Sequence, residues 1–564
     1  MIKLEKKNIE KKKLILTFIF LSVFILGTFL IFTTPSSIKV TYGKTVKTKD
    51  GETISFNVFE PDGGNKKKPA ILIGHGIMVN KEMLKGYAIE LATSGFVAVP
   101  FDFRGHGQSS GELNRNLLVN DVKAIKKYLE SRGDIDMNKL GYIGYSMGGG
   151  PGNKIVKDDE DFKCFIGIGT GLSIDDKDCE NRTLNILMIL AKYDEGRDLK
   201  SAKKEIADRL DKNADDIRVN TLYGSFEDGD ATMLFYDDNS DHFLTPYDSS
   251  FIREARDWVK STFPGVDPID ENYYANIRTL ILVLQLFGGI GFFFLILDPI
   301  CRTFLKSKDQ KIDDEKISDD ISLKRIAIKA ILYSLLFSVP GMLILLPFFL
   351  FLPLSVMGFV LMLLYGQLLG IFILIWRNQK HKGIKLKETL LEPFKDTNIS
   401  VLKQILVGVF LSTIFFLILY ISIGLNYLGL LPSLQNKMYW VPIYISVVFF
   451  MYLIYGLFFQ KIIQDKIGTG FKNALKSSLL SFIILMIYFI FVIALVCIVD
   501  HGFFFIMFFW FAVPMFLFSS IVNALTYDKT GNILVGAIIN TLYLTFLICT
   551  LSPFMTGLAF LSRF

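Results

Sequence analysis

The segment 140–148 carries the residues best suited to nucleophilic chemistry in this 564-residue chain. An apolar run ends in Gly144-Tyr145-Ser146-Met147-Gly148, which is the pattern G-x-S-x-G. In that pattern a strand turns sharply into a helix, small flanking residues avoid clashes, and the serine hydroxyl is exposed. We therefore predict Ser146 as a nucleophile on a turn shaped by Gly144 and Gly148. The alternative is a glycine-rich turn with an inert serine.

A nucleophilic serine needs a general base, and we predict His242 for this role. It follows a predicted strand at 231–236 and precedes an amphipathic segment at 247–262, so a loop at the edge of a sheet would carry it. The alternative is a surface histidine in a polar loop. The other four histidines precede Ser146 or lie in or beside the apolar segments, and they are His75, His106, His381 and His501.

An acid should orient the base, and Asp194 is the predicted residue. It follows the apolar run 184–190 directly, where the end of a strand would present it to the imidazole. A carboxylate there would hold the correct tautomer and stabilise the imidazolium. Glu195 is the neighbour that could replace it. Asp241 ranks third, because it directly precedes His242 and side chains of consecutive residues rarely face each other.

Backbone groups near Ser146 are predicted to bind the oxyanion. The segment Ile71–Gly76 reads as a strand that ends in His-Gly, and the following loop can supply an N–H group. We assign the two donors to Ile77 and Met147. His75 is then structural, and the turn at 101–109 would shape the site. The sequence predicts no metal ion at this site.

Strands and helices alternate around these residues. Strands are predicted at 52–60, 69–75, 96–103, 140–145, 163–169, 184–192 and 231–236. Helices are predicted at 80–94, 117–131, 201–211 and 247–262. This alternation indicates an α/β fold in which helices cover both faces of a mostly parallel sheet.

The rest of the chain reads as membrane-spanning. Apolar runs long enough to cross a bilayer occur at 14–33, 278–297, 327–351, 353–376, 402–424, 439–459, 477–498, 502–523 and 533–555. The boundary between the runs 327–351 and 353–376, near Pro347 and Pro353, is uncertain. We therefore predict eight to ten spans. The first run is interpreted as an uncleaved signal-anchor, with a cleaved signal peptide as the alternative.

The distribution of charge predicts the orientation. Residues 265–564 contain 23 Lys and Arg residues, and 20 of them fall in loops on one side of the spans. Positive loops remain in the cytoplasm, which places the N-terminus inside and the α/β domain outside. The predicted divisions are residues 1–37 (tail and signal-anchor), 38–264 (extracytoplasmic α/β domain) and 265–564 (an all-α membrane domain of about eight helices).

The same distribution excludes a nucleic-acid partner. The formal net charge is +6 over the whole chain, yet residues 38–264 carry 32 basic residues against 37 acidic ones. The domain therefore has no excess of basic residues to neutralise phosphates. The excess of basic residues in 265–564 reflects the orientation of the spans in the membrane. Membrane lipids are the expected partners of this part of the chain.

Five segments together resemble the α/β-hydrolase superfamily, closest to its dienelactone-hydrolase-like and serine-aminopeptidase or esterase members. They are HG at 75–76, DFRGHGQS at 102–109, GYSMGG at 144–149, KYDE at 192–195 and DHF at 241–243. The resemblance covers residues 40–263. It implies an α/β-hydrolase fold and an acyl-enzyme mechanism without a cofactor.

Two departures from the superfamily pattern affect the expected site. GGGPGNK follows the nucleophile, and the gap between the strands at 163–169 and 184–192 is too short for a lid insertion. The active site should then be open, or covered by another part of the chain.

We expect a membrane-anchored serine hydrolase that acts outside the cytoplasm on acyl-containing small molecules or lipids. A peptidase or amidase of the same fold is one alternative. An inactive ligand-binding ectodomain of a membrane sensor or transporter is another.

Overall fold

An eight-stranded sheet forms the centre of the N-terminal half of the protein. The computed structural model describes residues 2–63, 67–175, 178, 182–305, 322–395, 400–500 and 504–562. The strands are β1 (Ile38–Lys47), β2 (Thr53–Pro61), β3 (Lys68–Gly74), β4 (Val97–Phe101), β5 (Ile135–Tyr145), β6 (Phe162–Ile168), β7 (Asn185–Tyr193) and β8 (Thr232–Asp241). Their order is β1-β2-β4-β3-β5-β6-β7-β8. The pairs from β4 to β8 are parallel, whereas β2 is antiparallel to both β1 and β4.

Helices cover both faces of this sheet, as the alternating pattern predicts. They are α2 (Lys85–Thr93), α3 (Leu118–Glu130), α4 (Gly149–Asp158), α5 (Leu199–Leu210) and α6 (Ser249–Thr262), while α1 (Ile2–Thr33) precedes the sheet. α2 and α6 share one apolar core with the sheet, and α3, α4 and α5 share a second core on the opposite face. Parallel strands buried on both faces have continuous apolar sequences, which explains why β3 to β7 are easily recognised.

β1 is the strand that the sequence pattern does not predict. It pairs antiparallel with β2 at the edge of the sheet, and its register shifts between Thr41 and Lys44. All of its residues are at least partly exposed. An edge strand with a polar face and an irregular register lacks the apolar run that marks the buried strands.

The described part of the C-terminal half consists of helices joined by irregular segments. Its helices of ten or more residues are α7 (Ala275–Leu305), α8 (Leu323–Leu336), α9 (Ser338–Phe351), α10 (Ser355–His381), α12 (Val401–Leu419), α13 (Val441–Phe458), α15 (Phe471–Asp500), α16 (Phe509–Thr530) and α17 (Leu534–Leu551). Shorter helices are α11 (Leu386–Leu391), α14 (Asp465–Ile467) and α18 (Gly557–Leu561).

Eight helices in the described residues are long and apolar enough to cross a membrane, and α1 is the first of them. α8 and α9 form a ninth candidate if the pair is one span with a 55° bend. The bend follows Leu336 and divides the predicted run 327–351 into two helices. The uncertain division from the next predicted run is present, because α9 ends at Phe351 and α10 begins at Ser355. These spans fit a multi-pass membrane protein. One of the basic loops on which the predicted orientation rests, residues 301–329, lies partly outside the described residues, at 306–321.

The α/β domain, defined here as residues 38–264, rests on one end of these helices. Hydrogen bonds reach it from the segment between α12 and α13 and from the segment after α17. They join Lys85 to Leu425, Gln108 to Leu431, Tyr247 to Tyr427, and Leu113 and Gly105 to Phe554. The basic segments around Arg377 and Lys461 lie at the opposite ends of α10 and α13. The helix ends near the α/β domain are therefore the ends without the basic loops.

Candidate active site

Ser146 occupies a strained turn between β5 and the short helix Ser146–Gly148 that leads into α4. Its φ angle is +49°, a left-handed conformation that few residues other than glycine adopt. A Cβ at Gly144 would lie 2.7 Å from the carbonyl oxygen of Gly148, and one at Gly148 would lie 2.4 Å from that of Gly74. Only glycine fits this close approach, so the backbone pushes the Ser146 side chain out beyond the end of the sheet.

Three predicted residues come together at this end of the sheet. The Nε2 atom of His242 lies 3.0 Å from Ser146 Oγ, and Nδ1 of the same ring lies 2.9 Å from Asp194 Oδ2. The Asp194 carboxylate is fully buried, and the imidazole side chain is 7% exposed. With the carboxylate accepting from Nδ1–H, Nε2 carries the free lone pair that can remove the serine proton.

The structure distinguishes Asp194 from the two alternative acids. Glu195 accepts a hydrogen bond from the backbone N–H of His242 at 3.1 Å and so holds the histidine's main chain rather than its ring. Burial raises the pKa of the Glu195 carboxyl. Asp241 accepts the backbone N–H of Leu244 at 2.8 Å. Asp194 itself is fixed by the N–H of Gly196, 2.9 Å from Oδ1.

Tyr145 holds the loop that carries His242, which we call the histidine loop, through a hydrogen bond to its backbone. Its hydroxyl donates to the carbonyl oxygen of His242 at 2.7 Å, and the two rings lie 5.4 Å apart. Burial raises the pKa of this phenol well above its ordinary value, so it remains a donor at neutral pH. The residue before the nucleophile thus fixes the loop that carries the base, a contact that the sequence pattern does not reveal.

The predicted oxyanion donors lie beside Ser146. Ile77 follows β3 and lines the cavity in front of the serine hydroxyl. Met147 is in the first turn of the helix that begins at Ser146, where backbone N–H groups have no intrahelical acceptor. Both positions fit the predicted role, and the assignment of the two N–H groups remains a prediction.

Two further histidines are buried beneath the site. His75 accepts the N–H of Phe103 at Nε2, 3.0 Å away, and its Nδ1 contacts the Gly76 carbonyl at 2.6 Å. Burial lowers the pKa of His75 to about 4 and that of His106 well below its ordinary value. Both rings are therefore neutral at physiological pH, and His75 braces the loop that carries Ile77.

A buried ion pair shapes the neighbouring turn. Lys81 donates to Asp102 through its ammonium group at 2.5 Å and through its backbone N–H at 2.8 Å. Gln108 donates its N–H to the same carboxylate at 2.9 Å. Asp102 thus binds backbone N–H groups within the turn that was predicted to shape the site, and its pairing with Lys81 was not predicted.

The cavity in front of Ser146 is narrow and apolar. Its volume is about 20 Å³, and its walls come from the loop after β3, the histidine loop and two residues of the helical half. These two are Met507 and Phe511, and we call residues 504–511 the roof segment. The Phe511 ring packs edge-on against Phe243, with 4.9 Å between centroids. A cavity of this size holds about one water molecule.

The roof residues were not identified from sequence. Met507, Trp510 and Phe511 belong to an apolar run that reads as an ordinary span. The short gap between β6 and β7 did indicate that any cover must come from elsewhere in the chain. Among the described residues, no group of three or more His, Cys, Asp or Glu side chains is arranged to hold a metal ion.

Comparison with known families matches residues 65–220 to the family described as serine aminopeptidase, S33. An Escherichia coli protein described as an uncharacterized 31.7 kDa protein in the traX-finO intergenic region is 31% identical over 124 residues. The match covers 21% of this chain and 42% of that protein. A Penicillium crustosum polyketide transferase is 27% identical over 107 residues, which are 18% of this chain and 35% of that protein. The chain thus spans less than half the length of these relatives.

Part of the chain is also similar to solved structures of esterases. The Pyrococcus furiosus esterase Pf2001 aligns with 40% of this chain and 93% of its own, at 14% identity and a TM-score of 0.32. A cold-adapted esterase from an Arctic intertidal metagenomic library aligns with 40% and 94%, at 17% identity and a TM-score of 0.30. With the family match and the order of the eight strands, the chain contains an α/β-hydrolase domain followed by an all-helical region.

Proposed function

We propose that this protein is a membrane-anchored serine hydrolase that cleaves ester or related acyl bonds through an acyl-enzyme intermediate. The observation that carries the proposal is the chain of contacts from Ser146 Oγ to His242 at 3.0 Å and on to Asp194 at 2.9 Å. A serine on a strained turn, an imidazole within reach and a buried carboxylate behind it are the parts that acyl transfer requires.

The proposed reaction has two halves. Ser146 Oγ attacks the substrate carbonyl carbon while its proton passes to His242 Nε2, and the oxyanion is bound by the N–H groups of Ile77 and Met147. The C–O or C–N bond then breaks, and His242 returns the proton to the leaving group. In the second half, water attacks the acyl-enzyme, gives a proton to His242, and Ser146 leaves with that proton as the acid is released.

The walls of the cavity favour an apolar acyl group. Ile77, Val79 and Phe243 face it from the α/β domain, and Met507 and Phe511 face it from the roof segment. A volume of about 20 Å³ is too small for an acyl chain. We infer that the roof side chains move aside when substrate enters, and that lipid-like esters are the preferred class.

The position of the α/β domain on the helices supports its placement outside the cytoplasm. The segments around Leu425, Trp510 and Phe554 that contact it lie at one end of the helices. The described basic segments around Arg377 and Lys461 lie at the other end, which the positive-inside rule assigns to the cytoplasm. The roof segment and the active site then lie at the outer surface of the bilayer.

A fluorophosphonate probe tests the enzyme proposal on membranes that contain the full chain. Wild type should be labelled, and Ser146→Ala should not. Ser131→Ala is the matched control, because Ser131 is an exposed hydroxyl at the end of α3. Labelling that persists in Ser146→Ala, or that is absent from folded wild type, would contradict the proposal. The second result would favour an inactive ligand-binding ectodomain.

The family match keeps a peptidase or amidase as the second candidate, since its description is serine aminopeptidase. Matched p-nitrophenyl esters and p-nitroanilides that share one acyl group would separate the two. Turnover of the esters alone supports the esterase. Turnover of aminoacyl anilides at comparable kcat/KM, lost in Ser146→Ala, would replace it with the peptidase.

Single cysteines test the orientation in intact cells. Lys139→Cys places a thiol on the exposed surface of β5, and Lys382→Cys places one after α10. In a background without the native Cys179, an impermeant maleimide should label the first and not the second. The reverse pattern would place the α/β domain in the cytoplasm.

A further inference from the structure

A second cavity lies between the α/β domain and the first two spans. Its volume is about 210 Å³, roughly ten times that of the cavity in front of Ser146. Ile31 and Phe32 line it at the end of α1, Tyr42 lines it from β1, and Lys85 and Arg278 line it from α2 and α7. Its lining is therefore apolar on both the span side and the domain side, with one basic side chain from each.

The two basic side chains are buried, at 2% exposure for Lys85 and 6% for Arg278. Burial lowers the pKa of Lys85 to about 7, whereas Arg278 keeps its charge at neutral pH. Their hydrogen-bond acceptors are neutral. Lys85 Nζ donates to the Leu425 carbonyl at 2.7 Å, to Tyr42 Oη at 3.0 Å and to Asn426 Oδ1 at 3.2 Å. Arg278 donates to the carbonyl oxygens of Ile31 and Thr34 at 3.0 and 2.7 Å, and to Asn426 Oδ1 at 3.4 Å.

Two carboxylates partly balance these charges, since Glu82 lies near Lys85 and Glu90 acts on Arg278 from beyond contact distance. Glu82 Oε2 lies 4.0 Å from Lys85 Nζ, while Oε1 of the same side chain accepts from Asn57. Among the residues that the structure describes, no carboxylate oxygen lies within 4.0 Å of the Arg278 guanidinium. Arg278 therefore carries a buried charge that no described carboxylate contacts, and a buried charge without a close counter-charge is costly. An anion in the cavity would offset that cost.

Hydrogen-bond donors are also available there. A guanidinium has five N–H groups, and the contacts to described residues use three of those on Arg278. Tyr42 Oη accepts from Lys85 and retains its own hydrogen to donate. Burial raises the pKa of Tyr42 to about 12, so this hydroxyl remains protonated at neutral pH. Arginine and a hydroxyl group are a combination suited to phosphate oxygens.

We propose that the cavity bounded by Tyr42, Lys85 and Arg278 binds a phosphate group at the membrane surface. Its position at the ends of α1 and α7 suits the headgroup of a phospholipid whose acyl chains lie along α1. There Phe29 and Phe32 are 63% and 47% exposed. Free phosphate presents the same chemistry without the chains. The site is separate from the Ser146 cavity and does not depend on the proposed hydrolysis.

Thermal unfolding of the full chain in mild detergent tests the site with three probes. These are phosphatidylglycerol, a diglucosyl diacylglycerol that lacks phosphate, and inorganic phosphate. We expect phosphatidylglycerol to raise Tm and the phosphate-free glycolipid to have little effect. An equal rise with inorganic phosphate would identify free phosphate as the ligand. No rise with either phosphate probe would overturn the proposal.

Variants connect the effect to the cavity. Tyr42→Phe removes one donor and should weaken phosphatidylglycerol binding about tenfold. Arg278→Gln should abolish it. Lys39→Gln, which removes an exposed charge from the same strand as Tyr42, should bind like wild type. If Arg278→Gln does not fold, Tyr42→Phe alone decides the outcome. Undiminished binding in folded Tyr42→Phe would contradict the assignment.

Discussion

Trp510, at the start of α16, donates its indole N–H to the Asp241 carboxylate at 2.6 Å. Asp241 precedes His242, and its other oxygen accepts the N–H of Leu244. One carboxylate therefore joins the roof segment of the helical half to the loop that carries the proposed base. A movement of the roof segment that admits substrate must either break this hydrogen bond or move the histidine loop with it.

Breaking that contact should loosen the roof without changing the three proposed catalytic residues. Trp510→Phe keeps an aromatic ring and removes the N–H donor. Since a hydrogen bond of this kind contributes about 1 kcal/mol, the open form should become about fivefold more populated. We expect a long-chain fluorophosphonate to label Ser146 faster by about that factor.

The matched control is Trp376→Phe, because Trp376 is an exposed tryptophan on α10. It should label at the wild-type rate. If Trp510→Phe and Trp376→Phe behave alike, the hydrogen bond does not restrain the roof.

Removing the Phe511 ring should widen the acyl pocket. In Phe511→Ala the cavity gains the space of a phenyl group above Ser146, so longer acyl chains should fit without displacement of the roof. Each buried methylene contributes about 0.8 kcal/mol. We therefore expect the ratio of kcat/KM for p-nitrophenyl octanoate over acetate to rise at least several-fold.

Phe450→Ala makes the same chemical change on α13, where the ring is 41% exposed. Its chain-length preference should match that of wild type. If Phe511→Ala and Phe450→Ala show the same preference for octanoate over acetate, the roof segment does not form part of the acyl site.

The two adjacent acids should differ strongly in their effects on catalysis. Asp194→Asn removes the carboxylate that accepts from His242 Nδ1, and such a change reduces kcat by roughly 10,000-fold in the Ser-His-Asp template. Glu195→Gln retains an oxygen that can accept the His242 N–H, so its loss should stay below about tenfold. Hydrolysis of a soluble p-nitrophenyl ester measures both, and each variant serves as the other's control. A reversed order would make Glu195 the orienting acid.

The relation among Ser146, Asp194 and His242 could be predicted from sequence for a physical reason. β5, β7 and β8 are parallel, so residues that follow their carboxyl ends converge at one edge of the sheet. The short apolar runs mark these strands, and polar residues at their ends stand out. A glycine-flanked serine at such a position is informative, and the φ angle of +49° at Ser146 gives its structural basis.

The roof and the second cavity could not be predicted in the same way. Met507 and Phe511 are apolar residues within an apolar run, so nothing in their type separates a pocket wall from a lipid-facing side chain. Arg278 is an isolated cation near the start of α7, and its partner Asn426 lies about 150 residues later. Contacts of this kind depend on how the α/β domain rests on the helices, which periodicity does not encode.

Glu90 makes the junction between the α/β domain and α7 dependent on pH. Its Oε1 accepts the backbone N–H groups of Tyr274 and Ala275 at 2.7 and 2.9 Å, and Arg256 lies 3.7 Å from Oε2. Burial raises the pKa of this carboxyl to about 7, and the N–H donors only partly oppose the shift. The folded protein therefore binds a proton that the unfolded chain has released between about pH 4.5 and 7.

The sign of the effect on stability follows from this proton. Where the folded state holds more protons, the free energy of unfolding falls as pH rises. The contribution of Glu90 should then decrease by on the order of 2 kcal/mol across that window. Glu90→Gln keeps an oxygen for both N–H groups and cannot ionise. Its Tm should exceed that of wild type by a growing margin from pH 4.5 to 7.

Glu130→Gln supplies the control, because Glu130 is exposed at the end of α3. Its Tm should follow that of wild type at every pH, since removal of a solvated charge leaves the junction intact. Tm is measured from tryptophan fluorescence, to which the buried Trp258 contributes. A constant difference between Glu90→Gln and wild type across the window would show that Glu90 does not change its protonation there. The junction would then owe its strength to the hydrogen bonds alone.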